Sequence, residues 1–297
     1  MELDVFVIGG AGIDTIVRVP ELPLPPVETI LVEPVESYVA HTGHGVTLGC
    51  HLLGLRTGLA DVIGDDAEGD RIRRLYDELR LPLHVAIHPN GTRRAVNLVT
   101  PDGRRLSLFD GRDHTGLQVD PDLWRTNVVR ARHVHVSIVD FARHALPEAL
   151  AADCTVSTDL QDWDGRNDHH KDFATAADIV FVSTSALPDD AVDWIFANGR
   201  AEVVVAMAGA DGSYLHLRNQ PPQHIPAVKL PDRPVVDSNG AGDAYVSAFL
   251  ARRLDGVSWY DAARAGSIAG AWACGSPGTH TELITAEELA VRSRTLG

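Results

Sequence analysis

Cysteine is scarce in this chain, long apolar runs are missing and positive charge is in deficit. Each shortage removes a class of function. The 297 residues include three cysteines, Cys50, Cys154 and Cys274. They are odd in number and show no Cys-x-x-Cys spacing, so neither a disulfide scaffold nor a zinc ribbon is expected. No stretch approaches the roughly 18 uninterrupted apolar residues of a membrane-spanning helix. The opening MELDVFVIGG has acids where a secretory signal needs basic residues, and a cytoplasmic protein is expected. With 26 Lys and Arg against 41 Asp and Glu the net charge is −15. Such a field repels nucleic acid and anionic membranes alike, so neither is expected as a partner.

What is present reads as an ordinary globular chain, 44% hydrophobic and 23% charged. Val5–Ile8 is a short buried strand running into Gly9-Gly10, and strand-like runs recur at 57–63, 83–88, 132–139, 154–160, 178–182 and 202–206. Helix-like segments at 67–80, 143–151 and 188–197 separate most of them, and His44–Leu55 reads as a buried helix. This alternation predicts an α/β fold, a doubly wound and mainly parallel sheet with helices on both faces. Two stretches break it. Residues 18–41 carry five prolines among β-branched residues, and 92–110 reads as a hairpin turning at Pro101-Asp102-Gly103. Strands without intervening helices suggest a small β flap over a site at the sheet's edge. The last third is helical, at 242–254, 258–275 and 285–295.

The sharpest chemical signal is Asp237-Ser-Asn-Gly240-Ala241-Gly242-Asp243, leading into an apolar helix. The glycines permit a turn that side chains would block. The first amides of the following helix have no internal partner, and with the dipole they form a site for phosphate or developing negative charge. Asp243 sits beside that site, placed to accept a proton from a substrate hydroxyl. The pattern suits phosphoryl transfer, which depends on positioning and charge stabilisation. A plain loop with a first-turn acid is the bland alternative.

These residues resemble the C-terminal signature of the ribokinase-like (PfkB) carbohydrate kinases at every defined position. The resemblance extends along the chain: Val5–Gly10 followed by Asp14, the turn Gly64-Asp65-Asp66-Ala-Glu-Gly69, and the turn from Gly209 to Gly212. It implies one kinase domain over 1–297, with lid strands at about 15–41 and 92–112, transferring the γ-phosphoryl group of ATP to a hydroxyl of a small sugar with Mg²⁺. By position, Asp243 would be the general base, and Gly240, Ala241 and Gly242 the anion hole. Asp14 and Gly43 would hold acceptor hydroxyls, and Gly209, Gly212 and Ser267 would lie on the nucleotide side. Asp237 would support the anion loop and a monovalent cation such as K⁺. Lids of this family often pair between subunits, which implies a homodimer.

The departures concern specificity and metal. The family's Gly-Gly-x-Gly-x-Asn reads Thr42-Gly43-His44-Gly45-Val46-Thr47 here, so His44 and Thr47 stand at substrate-facing positions. For His44 the competing reading is a polar residue opening a buried helix. The family's Asn-x-x-Glu, which orders Mg²⁺ and its waters, falls at Ser183-Thr-Ser-Ala186, and Asp159 is the candidate to share that role with Ser183. Asp140 follows a strand, as an acceptor contact or a helix cap. His133 and His135 alternate on one strand and read as a partly exposed face rather than metal ligands. Arg93-Arg94 and Arg104-Arg105 read as a solvated edge that discourages strand pairing. A dinucleotide-binding reading of Gly10-Ala-Gly12, that of a nicotinamide oxidoreductase, fails because Thr15 replaces the third glycine and Pro20 and Pro23 interrupt any helix. Two other functions stay open: a nucleoside kinase, with Phe109, Trp163 and Phe141 as base-stacking candidates, and a non-catalytic binder.

Overall fold

The structure, a computed structural model, describes residues 2–101 and 103–296. Asp102, at the centre of the expected hairpin turn, lies outside the described residues, as do both terminal positions of the expected 1–297 domain. In chain order the strands are β1 (Leu3–Ile8), β2 (Gly12–Arg18), β3 (Glu36–Ala40), β4 (Thr57–Ile63), β5 (Leu83–Ile87), β6 (Arg94–Val99), β7 (Arg105–Asp110), β8 (Ala131–Val136), β9 (Thr155–Asp159), β10 (Ile179–Ser183), β11 (Val203–Met207), β12 (Ser213–Leu217) and β13 (Gln223–Ile225). The helices are α1 (Thr42–Leu52), α2 (Ala67–Leu79), α3 (Arg125–Val128), α4 (Leu146–Ala151), α5 (Asp168–Ala176), α6 (Ala191–Asn198), α7 (Ala241–Leu254), α8 (Trp259–Ala273) and α9 (Ala286–Thr295).

Nine strands form one sheet in the order β13-β12-β11-β10-β9-β8-β1-β4-β5, parallel from β11 to β5. Side chains alternate across it, as strand geometry requires. Val5 and Val7 of β1 pack with Val46 of α1, Ile72 of α2 and Phe249 of α7. Phe6 and Ile8 face the other way, with Trp124 just before α3 and Leu146, Phe173 and Ile195 of the helices on the opposite face. Both faces are covered, which is why the strands read as continuous apolar runs. The chain leaves β1 toward β4 and β5 on one side and returns as β8 on the other. The carboxyl ends of β1 and β8 therefore flank a topological switch point, where open α/β sheets bind ligands.

Strands β3-β2-β6-β7 form a separate small sheet. Strand β2 starts at Gly12, earlier than the expected lid boundary, because the turn after β1 takes only three residues. Between β2 and β3 the proline-rich stretch forms no strand, since proline offers no ladder donor. The antiparallel β12 and β13, which the sequence reading lacked, are short and half exposed, so no apolar run marks them. The expected 143–151 helix is divided: Asp140–Ala145 is a 3-10 helix and α4 follows it.

Candidate active site

At the amino end of α7 the left-handed Gly240 (φ 77°) caps the helix. A β-carbon there would lie 2.6 Å from the His280 ring, so both backbone and space demand glycine. The amides of Gly242 and Asp243 are first-turn donors without helical partners, while that of Ala241 makes a long 3.3 Å bond to the Ser238 carbonyl. Behind this turn Asp237 is nearly sealed. Its Oδ1 accepts from the Asn239 amide at 3.0 Å and from the Asn239 side chain at 2.7 Å. Its Oδ2 accepts from the Gly278 amide and, at 3.2 Å, from Arg18 of β2. The Arg18 guanidinium thus places a positive charge beside Asp237, the residue expected to support a monovalent cation. Arg105 of β7 reaches the same loop, donating to Asn239 Oδ1 at 2.8 Å.

On the acceptor side Gly43 opens α1 directly beneath the end of β1. A β-carbon on Gly43 would fall 1.8 Å from the Gly9 carbonyl oxygen, so this junction of β1 and α1 excludes any side chain. Asp14 lies 3.3 Å from His41 Nε2 and accepts from the Thr279 hydroxyl at 3.3 Å. Burial opposes its ionisation, but the bond and charge of His41, the charge of His280 and Thr279 outweigh burial and hold its pKa below the usual carboxylate range. Two other acceptor candidates are corrected. Thr47 is buried and turns its hydroxyl to the Gly43 carbonyl at 2.7 Å. His44 is buried behind the site, 3.2 Å from the Tyr76 hydroxyl and edge-on to His280. Burial first, then the charges of His280 and His41, push its pKa well below the usual histidine range. Asp140 opens the 3-10 helix without capping it: its carboxylate accepts from the Gly116 amide of a separate loop and sits 3.6 Å from Arg143.

The residues expected on the nucleotide side lie at the carboxyl ends of β9, β10 and β11 and on α8. Asp159 is buried at the end of β9 and accepts from the Gln161 amide at 2.8 Å. Burial, reinforced by the charge of Asp243, pushes its pKa up to about 7. Carboxyls perturbed in this way gather at functional clefts. Ser183 ends β10 and bonds Ser185 at 3.0 Å. Gly209 (φ 56°) and Gly212 (φ 93°) bound the turn between β11 and β12. The Ser267 hydroxyl on α8 is buried without a hydrogen-bond partner among the described residues, an orphan that a ligand would satisfy.

Other expectations are also corrected. His133 and His135 are fully buried, bonding Thr155 and Ser157 at 2.7–2.8 Å, and burial pushes each down to about 3. Arg93 is not at a solvated edge. It is buried against Asp61 of β4, while Arg94 bonds Glu68 and Arg104 the Leu22 carbonyl. Phe141 and Trp163 are core residues, leaving only the exposed Phe109, 5.5 Å from His41, of the proposed base-stacking set.

Arg18, His41, Thr279 and His280 were missed. His280 Nε2 lies 2.7 Å from Asp243 Oδ2. The local signal was Pro277-Gly278, a turn dipeptide, but nothing in the sequence joins it to acids 37 and 265 positions away.

Comparison with known proteins identifies the family and the fold. Residues 2–286 match the family of pfkB family carbohydrate kinases. Acarbose 7(IV)-phosphotransferase of Actinoplanes sp. is 45% identical over 284 residues, 95% of each chain. The solved microbiome-derived acarbose kinase Mak1 superposes with a TM-score of 0.93 at 51% identity, over 99% of this chain and all of that one. The ribokinase of Giardia lamblia shares the fold alone, with a TM-score of 0.86 at 16% identity over the whole of both chains.

The chain belongs to the pfkB family of carbohydrate kinases and is an ATP-dependent sugar kinase.

Proposed function

We propose that this pfkB-family kinase phosphorylates a hydroxyl of acarbose or a closely similar sugar, with Asp243 as general base. The observation that carries the acceptor is the 45% identity to acarbose 7(IV)-phosphotransferase across 95% of both chains. In the reaction, Asp243 takes the proton of the acceptor hydroxyl as its oxygen bonds the γ-phosphorus. The bond from that phosphorus to the β–γ bridging oxygen breaks, and ADP leaves. The α7 amides at Gly242 and Asp243 offset the negative charge that builds on the transferred group. Asp14 and the backbone at Gly43 orient the acceptor.

Carbohydrate kinases of this family use ATP with Mg²⁺. Among the described residues no group of three acids, histidines or cysteines forms a metal cage. Mg²⁺ keeps several waters and is held by one or two carboxylates plus substrate phosphates. Asp159 suits the carboxylate role, with Ser183 beside it. Bound Mg²⁺ supplies charge neutralisation on the phosphates. Gly209, Gly212 and the orphaned Ser267 hydroxyl would bound the nucleotide, and Arg18 replaces K⁺ at Asp237. A nucleoside acceptor is disfavoured because Phe141 and Trp163 lie in the core.

The same reading treats the chain as one domain, with the small sheet as a lid that closes over the acceptor and excludes water. It places the protein in the cytoplasm, where ATP is at hand, and makes it a homodimer through β7. That strand exposes Leu106, Leu108 and Phe109 together. Light scattering should give the mass of two chains, and a single-chain mass would remove the dimer.

The deciding assay is ADP release from Mg·ATP with acarbose, ribose, fructose and adenosine, for the native chain and Asp243→Asn. Turnover should be greatest with acarbose and fall about 10²–10⁴-fold in the variant. Equal turnover on ribose would overturn the acceptor, and an active Asp243→Asn would overturn the base.

A further inference from the structure

Three consecutive residues of the loop before α9 each touch a different carboxylate of the site. The Gly278 amide donates to Asp237, the Thr279 hydroxyl to Asp14, and His280 Nε2 lies 2.7 Å from Asp243 Oδ2. The last contact is unusually well built. The His280 side chain is 1% exposed and its backbone is left-handed, at φ 59°. A non-glycine residue held there stores strain, and such strain collects at functional sites. Room for the ring depends on two glycines: a β-carbon on Gly45 would fall 2.3 Å from Nε2, and one on Gly240 would fall 2.6 Å from Cδ2. The His44 ring, itself held by Tyr76, closes the ring's other side at 5.6 Å between centroids.

Resting on the reading of Asp243 as the base, we propose that His280 is its positioning residue. An ionised carboxylate only accepts, so the shared proton sits on Nε2, and His280 donates to Oδ2. Nδ1 is buried and has no hydrogen-bond partner among the described residues, so the ring's one hydrogen bond is the one to Asp243. Asp243 Oδ1 carries no protein hydrogen bond among the described residues, so the carboxylate is pinned by one oxygen and presents the other to the acceptor. The proton removed from the acceptor goes to Oδ1, and His280 keeps its own throughout. The chain thereby places an orienting imidazole behind an acid, as orienting groups elsewhere hold a general base.

The test compares His280→Gln, whose amide nitrogen reaches the place of Nε2, with His280→Asn, which tolerates a left-handed backbone but is too short. His280→Asn should lower kcat by about 10–100-fold with KM for ATP unchanged within twofold, because misplacing a catalytic group by about 1 Å costs on that order. His280→Gln should recover most of the loss. Comparable melting temperatures for the two variants establish that both fold. In an Asp243→Asn background His280→Asn should cost nothing further. Native kcat in His280→Asn would overturn the inference, and so would equal losses in Asn and Gln. If Asp243→Asn itself stays active, the base reading fails, which is a separate result.

Discussion

All six residues of β1, at the centre of the large sheet, are buried, whereas all six of β7, at the edge of the small sheet, are exposed. The large sheet is held by apolar contact on both faces, an energy that needs no particular partner. The small sheet shares that apolar contact at its root, where Ile13 of β2 and Val39 of β3 join the core, and is tied down further by individually placed polar groups: Arg93 on Asp61, Arg18 on Asp237 and Arg105 on Asn239. Two of these three contacts end on the turn that precedes α7. The position of the small sheet is therefore coupled, through Arg18 and Arg105, to that turn.

The buried link should break hardest. Arg93→Met leaves Asp61 charged and unpaired at 0% exposure, and should cost about 3–5 kcal/mol in urea unfolding. Adding Asp61→Asn should recover much of it. A loss under about 1 kcal/mol would mean that apolar contact, and not this pair, joins the sheets.

Acid should weaken the large sheet next. His133 and His135 titrate near 6.5 when unfolded but are held down to about 3 in the fold. Their contribution is complete above about pH 6.5 and is lost as pH falls toward 3, by up to ~1.4 kcal/mol per pH unit for each. Asp159 has the opposite sign: raised to about 7, it favours the fold at low pH and loses that contribution as pH rises through 7. Replacing both histidines by Gln should flatten the fall in melting temperature between pH 6.5 and 5. An unchanged slope would place the acid sensitivity elsewhere.

The smallest effect on stability belongs to Arg18→Ala. Its side chain is 31% exposed, so the loss should stay near ~1 kcal/mol. Turnover should nevertheless fall severalfold, and the native enzyme should work equally in sodium and potassium buffers. Potassium activation of the native chain would show that Arg18 does not stand in for the ion.

Much of this was legible without coordinates, where the information is local. The core strands announced themselves because burial on both faces leaves only apolar residues, and Gly240–Asp243 because a tight turn into a helix restricts residue type. The Gly64–Gly69 turn was visible too, although its use was not: Asp66 caps α2 and accepts from Thr92 at the root of the lid. His133 misled because alternation on a strand beside arginines looks like an exposed face. Its hydroxyl partners come from β9, a separate strand. Arg93 misled for the same reason, since its carboxylate lies 32 positions earlier on β4.

The sequence by itself determined the periodicities, the turns and the glycine-rich start of α7, because each depends on residues within a few positions of one another. The family resemblance extended that reading to an ATP-dependent sugar kinase. Only the tertiary structure decided which polar groups meet: His41 with Asp14, Thr279 with Asp14, His280 with Asp243 and Arg18 with Asp237. A hydrogen bond is sensitive to tenths of an ångström and indifferent to separation along the chain, so no local pattern encodes its partner.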